Sequence, residues 1–144
     1  MDKIFLIMAG EYSDRHCVGY CTTEEEAQKY CAVKNSTGSY EDHDYEEAEC
    51  LNGAVNGHID LGVSVDILLT SNGTVISVCD KICTRHKPIV QMKSSGRVSI
   101  RIWQKEYDRG RAVKVAQDSF YKWKAEKEEY DKAFVDRLVL YIEN

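Results

Sequence analysis

The sequence predicts an α+β fold: an antiparallel sheet built from hairpins, one short helix after the second strand and one long C-terminal helix. Three observations predict it. Leu61 to Leu69 alternates, with Val63, Val65, Ile67 and Leu69 on one face and Ser64 and Asp66 on the other, which is the period of a half-buried strand. The triplets Ser71-Asn72-Gly73 and Ser94-Ser95-Gly96 each separate two strand-like runs, as tight hairpin turns do. From about Arg111 the period becomes helical: Val113, Ala116, Phe120, Trp123, Lys127, Tyr130, Phe134 and Leu138 follow three-four spacing.

Taken in order, Ile4 to Met8 is a continuous apolar run of strand length, as expected for a strand buried on both faces. Gly10 ends it, and Ser13 and Asp14 shape a short loop. Cys17 to Cys21 returns as the second strand of a hairpin. Thr22 and Thr23 compete as N-cap of a helix, because Glu25 and Glu26 lie three residues after them and complete a capping box either way. Three acids in the first turn suit the positive end of the helix dipole. Ala27, Tyr30, Cys31 and Lys34 share one helix face, and Asn35 and Gly38 are stop signals.

Ser36 to Asp44 reads as a loop and Tyr45 to Leu51 as an alternating strand. Asn52 to Gly57 holds two turn signals. Leu61 to Leu69 and Thr74 to Ile82 pair across the first turn triplet. Lys87-Pro88 is a break, and Ile89 to Lys93 and Arg97 to Gln104 pair across the second. On the last strand Val98, Ile100 and Ile102 face in, while Arg97, Ser99, Arg101 and Trp103 face out. Leu138 to Ile142 also fits a short terminal strand.

The order of apolar strand, Gly10-Glu11-Tyr12-Ser13-Asp14, short strand, then Glu25, Glu26, Ala27, Tyr30, Cys31 and Asn35 resembles a family of small bacteriophage and prophage proteins. Ala112 to Asp118, A-V-K-V-A-Q-D, is similar to the helix that often closes such proteins. Ser36 to Gln104 carries no resemblance. The family brings no activity or site residue to transfer; the resemblance implies phage or mobile-element origin, and hence the cytoplasm of an infected or lysogenic bacterial host.

The 144 residues, with 43% hydrophobic and 30% charged content, suit one domain over 1–144 that buries roughly 68–70% of its unfolded surface. The start, M-D-K-I-F with further acids within a few residues, is not expected to be a signal peptide, and no apolar run is long enough to span a membrane. Cys17, Cys21, Cys31, Cys50, Cys79 and Cys83 are therefore expected as free, mostly buried thiols. Charge is asymmetric. Residues 1–80 carry 4 Lys/Arg against 15 Asp/Glu, net −11, and residues 81–144 carry 15 against 9, net +6. Such a split suits either two partner surfaces or two halves that pair with each other.

Chemistry-bearing motifs are scarce. Cys17 and Cys21, with His16, suggest a metal site, as do Cys79, Cys83 and His86. Two cysteines four apart on one strand sit roughly 13 Å apart, too far for one zinc ion unless the backbone folds back. No G-x-S-x-G, P-loop, G-x-G-x-x-G or H-E-x-x-H occurs. No catalytic residue, metal or cofactor is assigned, and the chain is expected not to be an enzyme.

Two surfaces remain. One is the acidic run of Glu41, Asp42, Asp44, Tyr45, Glu46, Glu47 and Glu49, which suits a basic partner or imitates nucleic-acid phosphates; a solvated edge kept soluble by charge is its plainer explanation. The other is Lys93, Arg97, Arg101 and Trp103, which combines cations with an aromatic as phosphate- and base-binding faces do; coverage by the C-terminal helix is the plainer explanation there. The leading expectation is a binding protein that inhibits a bacterial antiviral defence system, anti-CRISPR-like, by contact with a host protein, in particular a nucleic-acid-binding effector. Small-molecule or nucleotide binding through the basic face is the second expectation, and a nucleic-acid-binding accessory role the third. Arg111 to Tyr141 as one straight helix would span about 46 Å, longer than a compact domain of this size. A homodimer contact through its distal half, at Tyr130, Phe134 and Leu138, is expected to cover the overhang.

Overall fold

The computed structural model describes residues 2–38, 40–50, 57–126 and 132–143. It is α+β, with two antiparallel sheets and three helices. The chain forms two compact units, Met1–Leu61 and Gly62–Asn144. The charge asymmetry follows them: the first carries 4 Lys/Arg against 13 Asp/Glu, net −9, and the second 15 against 11, net +4.

In the first unit, β1 (Asp2–Ala9), a 3-10 turn at Tyr12–Asp14, β2 (His16–Cys21), α1 (Glu24–Ser36) and β3 (His43–Cys50) follow one another. β1 is the central strand, with sheet order β2-β1-β3. Along its apolar run Ile4, Ile7 and Ala9 are buried, and Phe5, Leu6 and Met8 are half-buried. β1 and β2 form the expected hairpin, with a register irregularity between Ile7 and Met8. α1 starts at Thr23, whose hydroxyl accepts from the Glu26 N–H at 3.2 Å; the competition with Thr22 is settled in favour of Thr23. Ala27, Tyr30 and Cys31 bury its inner face with Ile7, Cys21, Ile59 and Leu61. β3 begins at His43, two residues before the expected strand start, and lies antiparallel to β1. The turn signals at Asn52–Asn56 lie outside the described residues.

The second unit is a four-stranded antiparallel sheet under two helices. Its strands are β4 (Leu61–Leu69), β5 (Val75–Thr84), β6 (Ile89–Met92) and β7 (Val98–Gln104), in the order β5-β4-β7-β6. The Ser71-Asn72-Gly73 turn forms as expected. Thr70 N–H donates to the Thr74 carbonyl at 2.8 Å and Gly73 N–H to the Thr70 carbonyl at 2.9 Å, with Gly73 at φ 87°, which a residue with Cβ rarely adopts. Val65, Ile67, Leu69, Val98, Ile100 and Ile102 form the inner face, matching the alternation of the sequence.

The single long helix is not what forms. The chain makes α2 (Arg109–Ala125) and α3 (Lys132–Glu143) instead. Asp108 caps α2, its carboxylate accepting from Arg111 N–H at 3.0 Å. Phe120 and Trp123 of α2 and Phe134 and Leu138 of α3 are all fully buried in the same core. Trp123 and Phe134 meet edge to face with ring centroids 3.9 Å apart. The physical reason is apolar burial: one straight helix would leave Phe134 and Leu138 beyond the sheet, and two helices bring both back to it. The basis for a homodimer contact at Phe134 and Leu138 is thereby removed. Tyr130 and Lys127 lie outside the described residues, and the terminal segment is helical, not a strand.

Cys17, Cys21, Cys31, Cys79 and Cys83 are free thiols, and the side chain of Cys50 lies outside the described residues. Cys21 and Cys31 are buried, Cys83 is half-buried, and Cys17 and Cys79 are exposed, so burial is less general than expected. No helix among the described residues is long and apolar enough to cross a membrane.

Candidate functional site

The acidic run falls on β3, an edge strand, and on the residues just before it. Side chains alternate across a strand, so the run divides between two faces. Tyr45, Glu47 and Glu49 pair with Ile7, Phe5 and Lys3 of β1, on the face that carries Ile7 against α1. Asp44 and Glu46 pair with Met8 and Leu6 on the other face. Glu41 and Asp42 precede the strand. The acids therefore flank one edge from both sides, rather than forming a single plate.

Tyr45 is the ordered part of this surface. Its hydroxyl donates to Glu24 Oε1 and accepts from Gln28 Nε2, both at 3.1 Å, and its ring meets Phe5 edge to face at 6.2 Å. Several acids have basic neighbours. Lys3 Nζ lies 2.9 Å from Glu47. Arg15 lies 3.0 Å from Asp44 and 3.9 Å from Glu46. His16 Nε2 lies 3.6 Å from Glu41. The hydrogen bond to Glu47 raises the pKa of Lys3, and the one to Asp44 raises that of Arg15. These pairs are all exposed and hold few charges in place. Two of the unit's four cations thus sit against β3, and the six acids of the run still leave it strongly negative. In the sequence this pairing shows only as a scarcity of Lys and Arg before residue 62, which does not distinguish Lys3 and Arg15 from Lys29 and Lys34.

The basic candidates do not form one groove. Lys93 and Arg97 are exposed at the turn end of the β6–β7 hairpin, where Lys93 N–H donates to the Arg97 carbonyl at 2.8 Å. Arg101 lies four residues further along β7, about 13 Å away, with its Nε 3.4 Å from Asp66 Oδ2. Ser99 donates to the other oxygen of Asp66 at 2.7 Å. Trp103 Nε1 donates to the Cys83 carbonyl at 3.0 Å, and Arg85 lies over its ring at 5.3 Å. His86 Nε2 and Ser64 Oγ are 2.8 Å apart on the same face. Arg101 and Trp103 are therefore engaged within a polar network that closes this face of the sheet, and the helices cover the opposite one. Asp66 was read only as an outward residue of an alternating strand; its register opposite Arg101 depends on which strands pair, which spacing along one strand does not encode.

A cleft of about 890 Å³ opens where β7 turns into α2, lined by Trp103, Gln104, Tyr107, Arg109 and Arg111 among others. Glu106 and Asp108 also line it, so its cations are accompanied by acids. Among the described residues no three His, Cys, Asp or Glu side chains gather closely enough to hold a metal ion.

No protein-family model, curated protein or solved structure matches the chain.

Proposed function

We propose that this is a non-catalytic binding protein that engages a basic macromolecular partner through the acidic edge of its first unit. The observation that carries the reading is the exposure of Asp42, Asp44, Glu46, Glu47 and Glu49 around β3, in a unit of net charge −9. A field of that sign attracts and orients a cationic surface and repels an anionic one. The resemblance of Gly10–Asp14 and Glu25–Asn35 to small phage proteins supports a partner in a bacterial host under infection. Its concrete form is then inhibition of a nucleic-acid-binding defence effector, whose groove must be basic to hold phosphates. The test is the plating efficiency of a phage on a host carrying a defined defence system. Expression of the wild-type chain is expected to restore plating, and the variant with Asp44, Glu46 and Glu47 all changed to Lys is expected not to. Equal plating with both chains across a panel of defence systems defeats the reading.

The cleft at the β7–α2 corner supports a second reading, binding of an aromatic anion such as a nucleotide. Tyr107 supplies a ring and Arg109 and Arg111 supply charge. A rise in Tm with added nucleotide, lost in Arg111→Glu, would favour it; an unchanged Tm across nucleotides would remove it.

A further inference from the structure

We infer that the outer edge of β3 is a strand-addition site for an extended, Lys- or Arg-rich segment of a partner protein. The inference rests on the acidic-edge reading and specifies how the partner binds. It starts from the hydrogen-bond phase of the β1–β3 ladder. The register pairs Ala9 with His43 and runs without a shift to Asp2 and Cys50. Gly10 N–H donates to the Asp42 carbonyl at 3.2 Å, which fixes Asp42 as a position directed at β1. In an antiparallel ladder the direction alternates. Asp44, Glu46 and Ala48 therefore also turn their backbone groups toward β1, and His43, Tyr45, Glu47 and Glu49 turn theirs away.

The first outward position confirms this phase independently. His43 N–H donates to Asn35 Oδ1 at 2.8 Å, and Asn35 Nδ2 donates to the His43 carbonyl at 3.0 Å. A side-chain amide here does what a neighbouring strand would do, and it marks one end of the edge. Beyond it, the outward N–H and C=O groups of Tyr45, Glu47 and Glu49 have no partner among the described residues. Backbone groups in this state are a template for another strand. The open stretch from Tyr45 to Glu49 is about 14 Å long at roughly 3.4 Å per residue, room for a strand of about five residues.

The flanking side chains choose the occupant. An added strand would set its side chains about 4.5–5.5 Å from those directly opposite. On one face it would meet Asp44 and Glu46, and on the other Glu47 and Glu49. Like charges directly opposite are destabilising in a sheet, so acidic segments are rejected. A second copy of β3 is rejected for the same reason, which keeps an open edge from pairing with itself. A segment bearing Lys or Arg meets opposite charge on whichever face its cations take and gains the ladder hydrogen bonds as well. Tyr45, held by Glu24 and Gln28, keeps the start of the open stretch in place before any partner arrives.

The test uses the full chain and a synthetic peptide of alternating Lys and Val, with an alternating Glu and Val peptide as its counterpart. Amide hydrogen exchange by NMR reads the edge directly. The Lys peptide at saturation is expected to slow exchange at Tyr45, Glu47 and Glu49 by about tenfold or more, and the Glu peptide is expected to leave it unchanged. A Lys peptide N-methylated at alternate amides is expected to lose the protection, and Glu47→Pro is expected to lose binding of the parent peptide, because Pro removes an outward N–H without touching the β1 ladder. The methylated peptide keeps the test decisive if the Pro variant fails to fold. Methylated and parent peptides that bind equally, or binding with unchanged exchange at the three amides, would overturn strand addition while leaving the acidic surface as a docking site. Absence of binding by either peptide would overturn both. Protection of these amides in the chain alone, with a concentration-dependent dimer, would make a second copy the occupant and overturn the choice of a basic segment.

Discussion

Asn35 and His43 form a two-way pair, the Asn35 amide donating to the His43 carbonyl at 3.0 Å and accepting from its N–H at 2.8 Å. The pair ties the last turn of α1 to the first residue of β3. It replaces a missing strand with one side chain. Asn35→Ala removes both bonds, and Asn35→Asp removes the donor and faces a carboxylate to the His43 carbonyl. Either change is expected to destabilise the first unit by about 1–3 kcal/mol, the range for two such hydrogen bonds. Urea unfolding followed by circular dichroism, with amide exchange at His43, checks it. Midpoints equal to wild type in both variants would show that the pair contributes nothing.

Trp123 and Phe134 hold α2 against α3. Both are fully buried, with centroids 3.9 Å apart. Phe134→Ala is expected to destabilise the second unit by about 3–5 kcal/mol, as large-to-small changes at buried aromatics do. Phe134→Glu is expected to unfold it, since a carboxylate would be buried without a partner. Trp fluorescence reports this unit alone, because Trp103 and Trp123 both belong to it. A stable, folded Phe134→Glu chain would mean that Phe134 faces solvent, and would reopen the dimer contact in solution.

The two aromatic positions also show where the sequence stops being informative. Their three-four spacing marked Phe120, Trp123, Phe134 and Leu138 as one apolar stripe, and all four are core. The interruption between α2 and α3 has no Pro or Gly to announce it; what distinguishes it is that Phe134 and Leu138 share a core with Phe120 and Trp123, which is a tertiary fact. The same division holds at the candidate site. The acids of β3 were legible as a run, and their alternation as a strand. That β3 lies at an edge follows from β1 pairing on both sides, and the role of Asn35 follows from that edge. A stop signal for a helix was all that Asn35 offered in one dimension.

Alkaline pH is expected to weaken the first unit. Burial pushes the Tyr30 phenol up, helped by Cys21 and Cys31, and burial pushes the Cys31 thiol up, helped by Asp44. Both groups are neutral when protonated, so the folded chain keeps protons that the unfolded chain has released. Stability is full below the ordinary thiol and phenol values and falls as pH rises through the raised folded values. Urea midpoints at about pH 7.5 and about pH 10.5 bracket that window. Cys31→Ala is expected to start from a lower midpoint and lose less of it on the alkaline side. A midpoint that rises with pH in the wild-type chain would reverse the sign and refute the burial argument.

Reversing the acids of β3 separates stability from binding. Changing Glu41, Asp42, Asp44, Glu46 and Glu47 to Lys breaks the contacts of Lys3, Arg15 and His16 with these acids. It also moves the first unit from net −9 to near neutrality, which relieves self-repulsion. Exposed ion pairs contribute little, and the two changes oppose each other. The Tm is therefore expected to stay within about 5 °C of wild type. Binding of a Lys-containing partner is expected to disappear, and in the unchanged chain it should weaken as salt rises, because exposed charges are screened beyond about 8–10 Å. Calorimetry and a salt series on the same two chains decide the matter together. A variant that still binds takes the acids out of the mechanism. A variant that unfolds would show instead that Lys3 and Arg15 hold the sheet edge in place.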